Sequence, residues 1–370
     1  MDFPAFHLDL IGNRTLIAVI AIVHVTISHA LAVGAMPLIT LMEWWGHRTG
    51  NADWDRLAYR LLAVCFIITT SLGAMTGVGI WFSTALVSPM AIGSLIRIFF
   101  WAWFSEWIVF TLEVSLILTF FLTWKHWRGP RKRRHIRLGM ALSVCSWLTM
   151  VIITAILGFM MDPGLWLNRP SFLHGTLNPI YLPQLLFRTP LAMTGAGIFS
   201  LLLVYFFTNR ASPFRSQAVR FVSLWTLAWA GLCLAGAWYY WVSIPEAMVG
   251  NLPVALGTQA FEAWHRTVAW LIAAATATVL VIATWGVLKP MWLPRAVSIV
   301  PMLLLLALLG YFERVREFIR KPDVIAHYMY GNGLRRADAP LLQVEGLLAH
   351  AAYTPTRTIT AENRDQAGET

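Results

Sequence analysis

The chain has 370 residues, of which 58% are hydrophobic, 12% are charged and 19 are Trp. Soluble domains carry about 45–50% apolar residues, so this composition excludes an ordinary soluble protein and indicates a polytopic membrane protein. The net charge of +10 would suit a nucleic-acid binder, but it is gathered in short loops between apolar runs, which excludes that class.

Runs long enough to cross a bilayer, about 20 residues each, fall near 15–43, 61–85, 95–124, 138–160, 186–208, 219–243, 266–287 and 296–312. They predict an all-α bundle of about eight transmembrane helices over residues 1–312. A polar segment, 313–353, follows, and then a Thr/Glu/Gly-rich tail, 354–370, whose composition predicts disorder. Alternate loops are basic: Arg48, Arg56 and Arg60; then KHWRGPRKRRHIR from Lys125 to Arg137; then Arg210, Arg215 and Arg220; then Lys289 and Arg295. The other loops carry only Arg169, Arg188 and Arg266. The positive-inside rule makes the basic loops cytoplasmic and solvated, with both termini and the segment 313–353 outside. The first apolar run outlasts a signal-peptide core and is read as a span. Cys65, Cys145 and Cys233 lie within spans without a pairing pattern or a CxxCH motif, so they are read as structural thiols.

The first span holds His24 and His29, five residues apart. That spacing separates them by about 140° around a helix, so both cannot face one centre. Each is either a satisfied interior histidine or a haem ligand. In the second span Gly73 and Gly77 form a small-xxx-small pair suited to a close helix crossing. The third span, WAWFSEWIVFTLEVSLILTFF, carries Glu106 and Glu113. Seven residues are two helical turns, so both carboxylates point the same way, about 10 Å apart. Carboxylates are costly in hydrocarbon and mark cofactor, ion or proton sites; the alternative is a structural pairing with Arg97 or with backbone. Arg97 either holds haem propionates or reaches the headgroups. The loops 161–185 and 244–263 are long, aromatic and Pro/Gly-rich, as loops that cover sites are. After the last span, ERVREFIRKP reads as an amphipathic surface segment for lipid headgroups or a partner's acidic rim, and His327 and Met329 read as loop packing.

HVTISHALAVGAMPL in the first span, GAMTGVGIWF in the second, SEWIVFTLE in the third and REFIRKP after the last together resemble subunit I of cytochrome bd-type quinol oxidases. The resemblance is strong over 14–125 and moderate over 310–323. It implies that His24 ligates a haem of a di-haem oxygen site, that Glu106 is a ligand or close neighbour of the d-type haem iron, and that Glu113 delivers protons. It also implies that Glu317 ligates the high-spin b haem within an E-x-x-R-x-P context completed by Arg320 and Pro322. The Glu106–Glu113 spacing is one residue shorter than the family pattern. The family's low-spin b haem is held by a histidine and a methionine, and the matching positions here are Arg188 and Val268. The large quinol loop is missing. Two haems are therefore expected, of b type and, by the resemblance, d type. The low-spin b haem is expected to be absent, or re-ligated by His265 or His174.

Three functions compete at this stage. The first is a short bd-like terminal oxidase subunit, an oxidoreductase reducing oxygen to water with electrons from cytochrome c or quinol, beside other membrane subunits in a bacterial inner membrane. The second is a haem-bearing electron-transfer subunit of a larger respiratory complex without oxygen chemistry. The third is a transporter whose intramembrane carboxylates bind ions.

Overall fold

The computed structural model describes residues 13–87, 89–209, 212–244, 259–294, 299–308 and 310. All regular structure among them is helical. We label α1 (13–49), α2 (52–87), α3 (Pro89–Ile98), α4 (Phe100–Thr123), α5 (Lys132–Phe159), α6 (Phe172–Thr176), α7 (Tyr181–Phe207), α8 (Pro213–Val242) and α9 (Gln259–Leu288). Seven of them, α1, α2, α4, α5, α7, α8 and α9, are long and apolar enough to cross a membrane. Of the eighth predicted span, residues 300–308 are helical and the end lies outside the described residues.

The first two helices are each interrupted by a π-helical stretch. In α1 the sequence Ser28–Gly34 is π between α segments Asn13–Ile27 and Ala35–Thr49. In α2 the π stretch is Thr69–Gly73, between Ala52–Ile68 and Ala74–Val87. Both begin where hydroxyls compete for helix carbonyls: Ser28 donates to Val25 O, and Thr69, Thr70 and Ser71 donate to Cys65, Phe66 and Ile67 O. Such back-bonding loosens the i→i−4 ladder, and a π-bulge redirects the side chains that follow. The α1–α2 turn is tight. Gly50 adopts φ 65° and its N–H closes onto Gly46 O, while the Asn51 side chain caps α2 by accepting from Asp53 N–H.

α7 is the centre of the bundle, with 67% of its apolar window buried, because its TGAG stretch and its neighbours' small residues let backbones meet. Gly34 of α1 lies directly on the Ala192 carbonyl, a Cβ at Gly195 would stand 3.3 Å from Ala30, and Gly197 abuts Thr226 of α8. The largest core cluster joins α1, α2, α4, α5, α7 and α8 through Leu38, Leu62, Phe120, Leu142, Tyr205 and Val222. α4 is the opposite case. Only 11% of its apolar window is buried, and it rests chiefly on α5.

Several boundaries differ from the predicted ones. The third span begins at Phe100 rather than near 95, because the chain breaks at Phe99 (φ −109°, ψ 28°). Arg97 therefore belongs to the separate helix α3. α5 starts at Lys132, so half of the basic stretch read as a solvated loop is helix. α7 starts at Tyr181, which puts Arg188 two turns inside it. The loop before α7 is ordered: Asn178 donates to Ala155 O and Gly175 O, and Phe159 meets Trp166 edge-on.

Candidate functional site

His24 is set by the crossing of α1 and α2. Its Nδ1 lies 3.2 Å from Gly73 O and 3.3 Å from Thr76 Oγ1. A carbonyl can only accept, so Nδ1 carries the proton, and among the described residues Nε2 keeps its lone pair uncommitted. That tautomer, fixed by a backbone carbonyl, is the one a metal-ligating histidine needs. The ring stands close against Gly77, where a Cβ would be 3.1 Å from Cε1. Gly73 is equally flush with Ile27 at 3.2 Å, so the GxxxG pair is the helix crossing that its spacing predicts.

His29 faces elsewhere. Its Nε2 lies 3.2 Å from Arg188 Nη1 on α7, and its Nδ1 lies 3.3 Å from Ser28 Oγ. The guanidinium only donates, so Nε2 is the acceptor and is already engaged. The two histidines thus diverge, as their spacing requires. His24 keeps a ligand position and His29 does not. Arg188, expected near the outer surface, instead points into the bundle against α1.

Glu106 and Glu113 share one face of α4, and both are half-buried. Thr149 of α5 donates to Glu113 Oε2 at 3.3 Å. Among the described residues no ion pair joins either carboxylate to Arg97, which is exposed on α3. Nor does any hydrogen bond join Glu106 to His24. Between them the second half of α2 and α4 touch little beyond Trp81 and Trp103, whose rings meet edge-on at 4.6 Å. Trp81 is one turn beyond Gly77, and Trp103 is one turn before Glu106. His24 therefore lies beside the part of α2 that carries Trp81, and Glu106 beside Trp103 on α4. Among the described residues no group of three His, Cys, Asp or Glu could hold a metal ion. The residues at His24 fit a haem ligand: an Nε2 with no partner among the described residues and a ring seat at Gly77 without a Cβ.

Glu317, Arg320, His327 and Met329 lie outside the described residues, as do the side chains of His265 and Arg266. His174 is tied locally, its Nδ1 2.8 Å from Arg169 O.

The sequence reading missed a second polar centre. Glu43, fully buried, receives Lys132 Nζ and His135 Nδ1 on the same Oε1, each at 2.6 Å. Lys132 also pairs with Asp55, and Trp124 Nε1 reaches Asp55 Oδ2 at 3.4 Å. His135 Nε2 lies 2.9 Å from Phe120 O. Glu43 was visible as a carboxylate at the end of an apolar run, but its partners sat in what looked like a solvated basic loop.

No protein-family model matches the chain, and no curated protein matches it. Among solved structures it is similar to a chain of the bd oxidase from Geobacillus thermodenitrificans, with a TM-score of 0.71 and 14% identity over 91% of this chain and 93% of that one. The chain has a bd oxidase fold. At that identity the likeness is one of fold, and it covers nearly the whole of both chains. It accounts for the all-helical bundle of membrane-length helices.

Proposed function

We propose that this chain is a haem-bearing, bd-like terminal oxidase subunit of a bacterial inner membrane, reducing oxygen to water at a di-haem site. The observation that carries this reading is His24, whose Nδ1 proton is fixed by Gly73 O and whose Nε2 is free, on a chain with a bd oxidase fold. A bound haem iron would supply the electron transfer and oxygen chemistry. His24 would hold one iron from α1. Glu106, one turn from Trp103 on α4, offers a carboxylate, a weaker donor than a second imidazole. Glu113 Oε2 accepts from Thr149, which aims its other oxygen and holds a proton-carrying group two turns from Glu106. Glu317, with Arg320, is assigned to the second haem by the motif alone. Arg97, exposed on α3, is assigned to propionates only if the bound group reaches it. Electrons come from cytochrome c or quinol, with other membrane subunits alongside.

The low-spin b haem has no place in this reading. Arg188 occupies the matching position, and its guanidinium holds His29. Purified protein should therefore contain two haems per chain by pyridine haemochrome assay; three would sink the idea of a lost low-spin site, and none would sink the proposal. A carbon monoxide difference spectrum and oxygen uptake then separate an oxidase from a haem-bearing electron-transfer subunit, which would show neither.

A further inference from the structure

The buried centre around Glu43 has no part in haem ligation, and its hydrogen bonds constrain its protons. His135 lies between two oxygens, Glu43 Oε1 at Nδ1 and Phe120 O at Nε2. Phe120 O only accepts and is one of the last four carbonyls of α4, so Nε2 carries a proton and caps that helix. Nδ1 then faces a carboxylate oxygen that also takes Lys132. A bare Nδ1 lone pair against that oxygen would be repulsive, so one further proton must sit on the 2.6 Å line between them. Among the described residues Glu43 Oε2 is buried without a hydrogen-bond partner, so the carboxylate's contacts are those of Oε1 with Lys132 and His135.

We propose that Glu43 and His135 form a proton-holding site at the basic end of the bundle, loaded through Asp55 and Lys132. Side-chain exposure falls from 39% at Asp55 to 10% at Lys132 and 0% at Glu43 and His135, a graded path from solvent to interior. Loaded, the four groups are neutral: two carboxylates, one ammonium and one imidazolium. When the shared proton leaves, the cluster carries one negative charge. α1 contributes Glu43, α2 Asp55 and α5 Lys132 and His135; α4 faces the pair with the Phe120 carbonyl and the rings of Phe120 and Trp124. Along α5, His135 is 14 residues, about 21 Å, from the Thr149 that meets Glu113, so the site is separate from the Glu106–Glu113 pair.

The site is tested on the purified full-length protein in nanodiscs, with or without haem. Nitrogen-15 histidine spectra should show one ring protonated on both nitrogens in the wild type, and that signal should disappear in Glu43→Gln. A difference titration should find one more dissociable proton in the wild type than in His135→Gln. Equal proton counts, or a wild-type His135 protonated on one nitrogen beside an ionised Glu43, would overturn the proposal. His135→Gln removes the α4 cap and can fail to fold; the Glu43→Gln comparison then decides on its own. A fully loaded site in a haem-free protein would leave this proposal standing and the oxidase reading fallen.

Discussion

At His24 one hydrogen bond and one missing methyl group decide what the ring can do. The carbonyl that fixes Nδ1 belongs to Gly73, the last residue of the π stretch in α2, and the ring's seat is Gly77. A Cβ at Gly77, 3.1 Å from His24 Cε1, forces the ring to move by a few tenths of an ångström, and a branched side chain forces more. Gly77→Val should therefore lower the haem content by one per chain in a haemochrome assay, with helix content by circular dichroism unchanged and Gly77→Ala intermediate. Full haem in the valine variant would separate His24 from the cofactor. Glu106 is tested alongside: His24→Ala should lose one haem, while Glu106→Ala should keep its haem count and alter the spectrum. On the other face of α1, Arg188→Met leaves the His29 Nε2 acceptor without its donor. An interior acceptor stranded in this way costs about 1–3 kcal/mol, read as a lower melting temperature in detergent, and Arg188→Lys should recover part of it. The divergence of the two histidines was legible from their five-residue spacing; which one kept a free nitrogen was not, because Gly73 and Arg188 lie 49 and 159 residues away in sequence.

Helices were legible as helices because each apolar run exceeds a bilayer's thickness, and every described span lies near its predicted range. Their ends were less legible. The break at Phe99 carries no Gly or Pro, and the start of α5 is hidden inside a run of Lys and Arg that composition alone marks as solvated. The π stretches were likewise unseen, since a hydroxyl-rich turn in a membrane helix is compatible with ordinary α geometry. They matter at the element scale because they set which residues of α1 meet α7. Gly34 ends the π stretch with its Cα on the Ala192 carbonyl, leaving no room for a side chain. Gly34→Leu should overpack this crossing and cost about 1–3 kcal/mol or more. Gly93 of α3 is the control: among the described residues nothing lies within 4 Å of a Cβ there. Gly93→Ala should be neutral or gain about 0.5–1 kcal/mol from reduced backbone freedom. If both variants melt alike, the α1–α7 contact is not what holds the bundle's centre together.

On the scale of the whole molecule, two kinds of ionic contact hold the basic end of the bundle, and their burial separates them. Asp53 and Arg56 pair at 3.0 Å with side chains 45% and 64% exposed. Solvent screens such a pair to about 0–1 kcal/mol, so Asp53→Ala should hardly change the melting temperature beyond any loss from the start of α2. The Glu43 centre ties α1, α2, α4 and α5 together in an interior where charges cannot be solvated. Lys132→Met should cost about 3–5 kcal/mol, because it leaves the buried Glu43 with one cation fewer. Glu43→Leu should cost a similar amount by stranding Lys132 and His135. The double variant should cost less than the sum: with both gone, Asp55 can turn to water, and His135 can hold a single proton on Nε2 against Phe120 O. A coupling energy of at least about 1 kcal/mol in that double-mutant cycle, with little salt dependence, is the expected result. Additive losses would mean that the four helices are joined by their apolar contacts alone, and that the charges are carried at the bundle's end for the proton they hold rather than for the fold.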